Sequence, residues 1–157
     1  MYQLHTRIFV PASLPEVWDF FSSPQNLSKI TAPSMGFTIK TGGEGKMYPG
    51  QIIAYTVKPV AGVPMEWVTE ITHVDEMKFF VDEQRKGPYK MWHHEHHFKS
   101  VDGGVEMEDI VSYLLPLGFL GNFAHVIFVK KQLESIFNYR TEVVKKIFPG
   151  STNDASK

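Results

Sequence analysis

The chain has 157 residues, 43% hydrophobic and 21% charged, and its 16 basic and 17 acidic side chains leave a formal charge of -1. That length suits one domain burying roughly two-thirds of the surface its unfolded form exposes, and the charge balance excludes the electrostatic footprint of a nucleic-acid or anionic-membrane binder. With no cysteine in the sequence, disulfides, thiolate metal sites and cysteine nucleophiles are excluded as well.

Residues 2–10, YQLHTRIFV, alternate as a strand does, and Pro11 closes it. Met1 leads straight into this strand, without the basic segment and apolar run of a secretory signal. No window reaches the ~18 apolar residues of a membrane span. The expectation is a cytoplasmic domain. In SLPEVWDFF, Ser13 caps a first helix, with Pro15 and Glu16 in its opening turn. SPQNLSKI starts a second helix at Ser23 and Pro24, which Thr31, Ala32 and Pro33 end.

From about Met35 to Leu115 the pattern is strand after strand, over 35–41, 50–59, 64–74, 77–86, 89–101 and 104–115. GGEGKMYPG reads as a flexible connection, AGV and DE as tight turns, and VDGGV as an Asp-Gly hairpin. Strands without intervening helices imply an antiparallel meander. After PLGFLG a 3.6-residue period takes over. Phe119, Phe123, Val126, Leu133, Ile136, Phe137, Val144 and Ile147 fall on one stripe of a long terminal helix. The domain runs over 1–149, and 150–157 forms a disordered tail. The fold class is α+β: a curved antiparallel sheet of about seven strands gripping a C-terminal helix, with packed core or a ligand cavity between them.

Seven histidines are present, four of them within MWHHEHHF. A two-residue turn at Asp102-Gly103 sets Val101 opposite Gly104, Trp92 opposite Tyr113, His94 opposite Val111, His96 opposite Asp109 and Phe98 opposite Met107. That face is apolar apart from His94, His96 and Asp109. The other, carrying His93, Glu95 and His97, suits solvent. His94 and His96 therefore point inward, where an unpaired Asp109 would be costly.

Four readings of the inward group stand side by side. It is a satisfied structural pair, a set of polar anchors in a ligand cavity, an acid–base pair of His96 and Asp109, or a two-His, one-carboxylate metal set of His94, His96 and Asp109. No further metal ligand is evident, so neither a metal nor a cofactor is expected. GGEGK lacks the spacing of a phosphate-binding loop. Arg140, beside the apolar stripe, reads as a partly buried ion-pair partner rather than a ligand anchor.

The order strand, two short helices, strands, long helix resembles the START-like, or SRPBCC, helix-grip superfamily. The closest likeness is to small bacterial SRPBCC proteins described as ligand-binding or polyketide-cyclase-like. The segments that carry it are FFSSPQNLSKITAP, GVPMEWVTEI, FVDEQRKGPYKMWHHEHHF, EDIVSYLLPLGFLG and IFNYR. By that resemblance Asp82, Gln84, Trp92, His94, His96, Phe98, Asp109 and Tyr113 occupy pattern positions, and a cavity lies between sheet and helix. Trp67, Phe80, Phe123 and Ile127 complete the expected ligand-binding set. The implied function is non-enzymatic binding or carriage of a small hydrophobic molecule. The alternative is a cyclase- or aromatase-type enzyme using His96 and Asp109. A third reading, a protein-interaction module, would place an exposed apolar patch at PLGFLGNF. Whether Asp82 faces inward depends on the turn at KGPY: a two-residue turn sets it opposite His93, outward. One residue more sets it opposite Trp92, inward, which the family pattern favours.

Overall fold

The computed structural model describes residues 1–60, 62–116 and 123–150, and for residues 59, 60 and 123–126 the backbone alone. Ala61, the segment 117–122 and the tail 151–157 lie outside the described residues, and with them the expected PLGFLGNF patch and the disordered tail.

The elements follow the order read from the sequence: β1 (Tyr2–Val10), α1 (Leu14–Phe21), α2 (Leu27–Ile30), β2 (Thr38–Thr41), β3 (Gln51–Val60), β4 (Val63–Asp75), β5 (Phe79–Lys86), β6 (Met91–Val101), β7 (Gly104–Leu114) and α3 (Phe123–Ile147). Ser13 and Glu16 form a capping box at the start of α1, the Glu16 carboxylate accepting from the Ser13 backbone N–H at 3.0 Å. The second helix is split. Pro24–Asn26 form a 3-10 turn, and only Leu27–Ile30 are α-helical. A further 3-10 turn, Pro33–Met35, precedes β2.

All seven strands form one antiparallel sheet in the order β1-β7-β6-β5-β4-β3-β2. Register shifts at Val68/Thr69 and Ile71/His73, where β4 meets β5, interrupt the ladder. Such irregularities bend a strand and increase its twist, as a sheet wrapping a helix requires. The Asp102-Gly103 hairpin has the expected register, with Val101 opposite Gly104 and Trp92 opposite Tyr113. Gly103 takes φ +80°, a conformation that favours glycine.

Two buried clusters divide the space under the sheet. In one, Val129, Leu133 and Phe137 of α3 pack with Ile53, Tyr55, Trp67 and Trp92. In the other, Val144 meets Val10, Val17, Trp18, Phe80, Phe98 and Met107. Ile147, assigned to the apolar stripe, is instead 36% exposed at the last turn of α3.

The turn at KGPY is longer than either alternative weighed from the sequence. Asp82 stands opposite His94, so it is on the inner side, while His93 is opposite Glu83. Gln84 holds this turn: its amide donates to the Tyr89 carbonyl at 2.7 Å and accepts from the Tyr89 N–H at 3.2 Å. A Cβ on Gly87 would approach Gln84 Oε1 to 2.3 Å, so the clamp requires glycine there. Gln84→Ala is expected to lose about 1–2 kcal/mol of stability in urea unfolding.

Candidate functional site

A cavity of about 190 Å³ lies between the inner face of the sheet, α2 and the middle of α3. Its walls are mostly aromatic and aliphatic, because the inward positions of β3 to β6 alternate with outward polar ones. Trp67 and Trp92 meet edge to face at 5.4 Å between ring centroids, Tyr55 stacks on Trp67 at 6.0 Å, and Tyr89 leans on Trp92 at 4.8 Å. Leu133, Ile136 and Phe137 of α3 form the facing wall.

One part of the wall is charged. Asp82 of β5, His94 and His96 of β6, and Arg140 of α3 all line the cavity, and Asp109 of β7 lies just behind them. Asp109 Oδ1 is 3.0 Å from His94 Nε2 and 2.9 Å from His96 Nδ1, with Arg140 Nη1 at 3.3 Å. Asp82 Oδ2 approaches the other ring nitrogens, at 2.8 Å from His96 Nε2 and 3.4 Å from His94 Nδ1. The two imidazoles lie 3.7 Å apart, and Phe80 stacks on His96 at 4.1 Å.

Both nitrogens of His96 sit within hydrogen-bond reach of a carboxylate oxygen, and Arg140 Nη2 lies 3.4 Å from His96 Nδ1. His94 Nε2 pairs with Asp109. The buried carboxylates Asp82 and Asp109 are thus set against Arg140 and the two imidazoles.

Burial pushes His94 down, and the neighbouring His96 charge adds to that push. Burial also acts against the charge on His96, but the hydrogen bonds to Asp109 and Asp82 outweigh it and raise its pKa. Burial works to raise Asp109, yet Arg140 and the two imidazoles hold it well below the ordinary carboxylate range. Asp82 is lowered against the same burial by His94, His96 and Arg140. Burial raises the Tyr55 hydroxyl, the Asp82 charge adds to this, and the group stays neutral beside Thr69 Oγ1 at 2.9 Å.

Of the residues expected to bind ligand, Trp67, Phe80, Asp82, Trp92, His94 and His96 line the cavity. Phe98 instead fills the second cluster against Trp18, Asp109 is a partner behind the wall, and Tyr113 packs against Trp92. None of these three reaches the cavity surface. Gln84 belongs to the turn described above. Ile127 is 42% exposed and away from the cavity, because α3 turns that position outward. The side chain of Phe123 lies outside those described. His93 and His97 are on the outer face, where they meet Glu83 and Glu95.

Tyr55, Thr69 and Tyr89 are wall residues that sequence reasoning did not single out. Burial alternates along QIIAYTV, with Gln51, Ile53, Tyr55 and Val57 inward, but the apolar run Ile52 to Tyr55 hides that alternation in the sequence. Arg140 is the ion-pair partner expected, and it also reaches the cavity, lying 5.3 Å over the Phe21 ring and 5.8 Å over Phe137.

No family model and no curated protein sequence matches the chain. Solved structures do. A protein of Mycobacterium smegmatis matches with TM-score 0.64 at 19% identity over 92% of both chains. A major latex-like protein of Panax ginseng matches with TM-score 0.67 at 13% identity over 94% of this chain and 97% of its own. The di-domain ARO/CYC protein BexL, from the BE-7585A biosynthetic pathway, matches with TM-score 0.71 at 13% identity, over 95% of this chain and 50% of its own. These likenesses are of fold: the chain shares their architecture, a curved antiparallel sheet around a long C-terminal helix. Among the described residues no helix is long and apolar enough to cross a membrane.

Proposed function

We propose that this helix-grip chain binds a small, mainly apolar molecule between its sheet and α3, as a binder or carrier rather than an enzyme. The observation that supports this most is the contrast within the cavity wall. Aromatic rings cover most of it, while polar groups converge on one patch of β5 and β6, the pattern of small-molecule sites. Trp67 Nε1 adds a donor: it is buried with no hydrogen-bond partner among the described residues. An unpaired buried donor costs free energy that an acceptor on a bound molecule would recover. The ligand class this favours is a ring or short chain carrying one or two oxygen acceptors.

Native mass spectrometry after gentle purification is expected to show a retained small molecule, and an apolar fluorescent probe to bind one to one. Ile136→Trp, which fills the space from α3 without burying a charge, is expected to weaken probe binding at least tenfold and leave the fold intact. Wild-type protein that neither retains a molecule nor binds the probe would sink the reading.

An acid–base enzyme is the second reading, and the His96 imidazole held between two carboxylates on the cavity wall is what favours it. Its carboxylate partners would position and recharge the ring, Asp82 from the cavity side and Asp109 from behind. The likeness to the ARO/CYC protein BexL adds a precedent for chemistry on this fold. Unchanged turnover of an identified substrate in both His96→Ala and Asp109→Asn would exclude that mechanism.

A further inference from the structure

The polar patch has an arrangement that neither reading requires. Asp109 Oδ1 takes one nitrogen from each imidazole, Nε2 of His94 and Nδ1 of His96. The remaining two nitrogens, His94 Nδ1 and His96 Nε2, are turned toward Asp82. A carboxylate that accepts the distal N–H of a histidine is the usual support of a metal-binding imidazole, fixing its tautomer and orientation. Here one carboxylate does this for two rings, and Arg140 balances its charge.

On the cavity side His94 Nδ1 stands 3.4 Å and His96 Nε2 2.8 Å from the same oxygen, Asp82 Oδ2. The donor atoms of Asp82, His94 and His96 all lie within 4.8 Å of one another. The Asp82 contacts, 2.8 and 3.4 Å, bracket or approach the ~3.3 Å edge of a tetrahedron with ~2.0–2.1 Å metal–ligand bonds.

The geometry points to a divalent transition-metal site formed by Asp82, His94 and His96, with Asp109 and Arg140 as its supporting layer. Two imidazoles and one carboxylate suit zinc, ferrous iron or cobalt rather than calcium or magnesium. The metal replaces the proton between His96 and Asp82, which leaves to solvent. All three ligands line the cavity, so the remaining coordination positions open onto it. The carboxylate is Asp82 from the neighbouring strand, not Asp109, which the hairpin register alone had suggested. This site is separate from the binding reading above, since its test uses no organic molecule.

The test is to strip the untagged full chain with chelator and titrate it with Zn²⁺ by calorimetry and with Co²⁺ by visible absorption. One equivalent is expected to bind, with Co²⁺ bands of a four- or five-coordinate site. Asp82→Asn, which keeps the side-chain shape, is expected to weaken binding about 100-fold, and Asp109→Asn about 10–100-fold through the supporting layer. The outer-face variant His93→Ala/His97→Ala controls for adventitious surface binding and is expected to match wild type. Absence of stoichiometric binding by folded wild-type protein overturns the site. So does binding that survives Asp82→Asn, or that is lost in the outer-face variant.

Discussion

Arg140→Met is expected to destabilise the chain by about 3–5 kcal/mol, measured by urea unfolding near neutral pH. The guanidinium lies 3.3 Å from Asp109 Oδ1 and offsets its charge, and its side chain is only 11% exposed. Methionine keeps most of the volume against Phe21 and Phe137 but leaves Asp109 with a charge unmatched in a buried setting. Breaking a buried pair from one side costs several kcal/mol because the orphaned charge stays behind. Asp109→Asn alongside Arg140→Met removes both charges and retains an oxygen that accepts from both imidazoles. The double variant is therefore expected to recover about 1–3 kcal/mol relative to the sum of the two single losses. A loss below about 1 kcal/mol for Arg140→Met would mean that water, not Arg140, neutralises Asp109.

Trp18→Ala is expected to cost a similar amount, about 3–5 kcal/mol, for a different reason. Trp18 is the hinge pin of the second cluster, edge-on to Phe80 at 6.1 Å and to Phe98 at 5.4 Å. Yet Trp18 does not line the cavity. Probe affinity in the folded fraction should stay within about threefold of wild type, while the melting temperature falls. Equal loss of binding and stability would show that the two clusters act as one unit. Separate responses would show that the cavity tolerates damage to the core beside it.

How far the sequence reveals this molecule depends on the length of each connection. Asp102-Gly103 is a hairpin turn signal, and the apolar pattern fixes the faces beside it, so the pairing of β6 with β7 and the inward facing of Trp92, His94, His96 and Phe98 were legible. The KGPY connection has no unique geometry. Its length depends on the Gln84 clamp, a side-chain-to-backbone interaction that hydrophobic alternation does not encode. That is why the opposite number of Asp82 was missed, though its inward facing was favoured. The Asp109–Arg140 contact joins β7 to α3, and periodicity placed Arg140 near the apolar stripe without fixing its partner. Ile127 shows the same difficulty in reverse: a helical stripe is wide, and an apolar residue at its margin can turn to solvent. The split of the second helix follows from its brevity, since the few residues after Pro24 allow a 3-10 turn before a single α-turn.

The sheet order also governs how the chain is made. β1 has one neighbour, β7, and Gln3 meets Ser112 across 109 positions of sequence. At 5–20 residues per second of synthesis, the first strand therefore waits roughly 5–20 s for its partner to leave the ribosome. Such distant pairing is slow to form for entropic reasons, and an alternating strand left open invites pairing with another nascent copy. His5 and Arg7, which in the finished protein meet Glu108 at the surface, stand on this strand from the start. Arg7 puts a charge on YQLHTRIFV before its partner strand exists, the kind of residue that discourages such pairing.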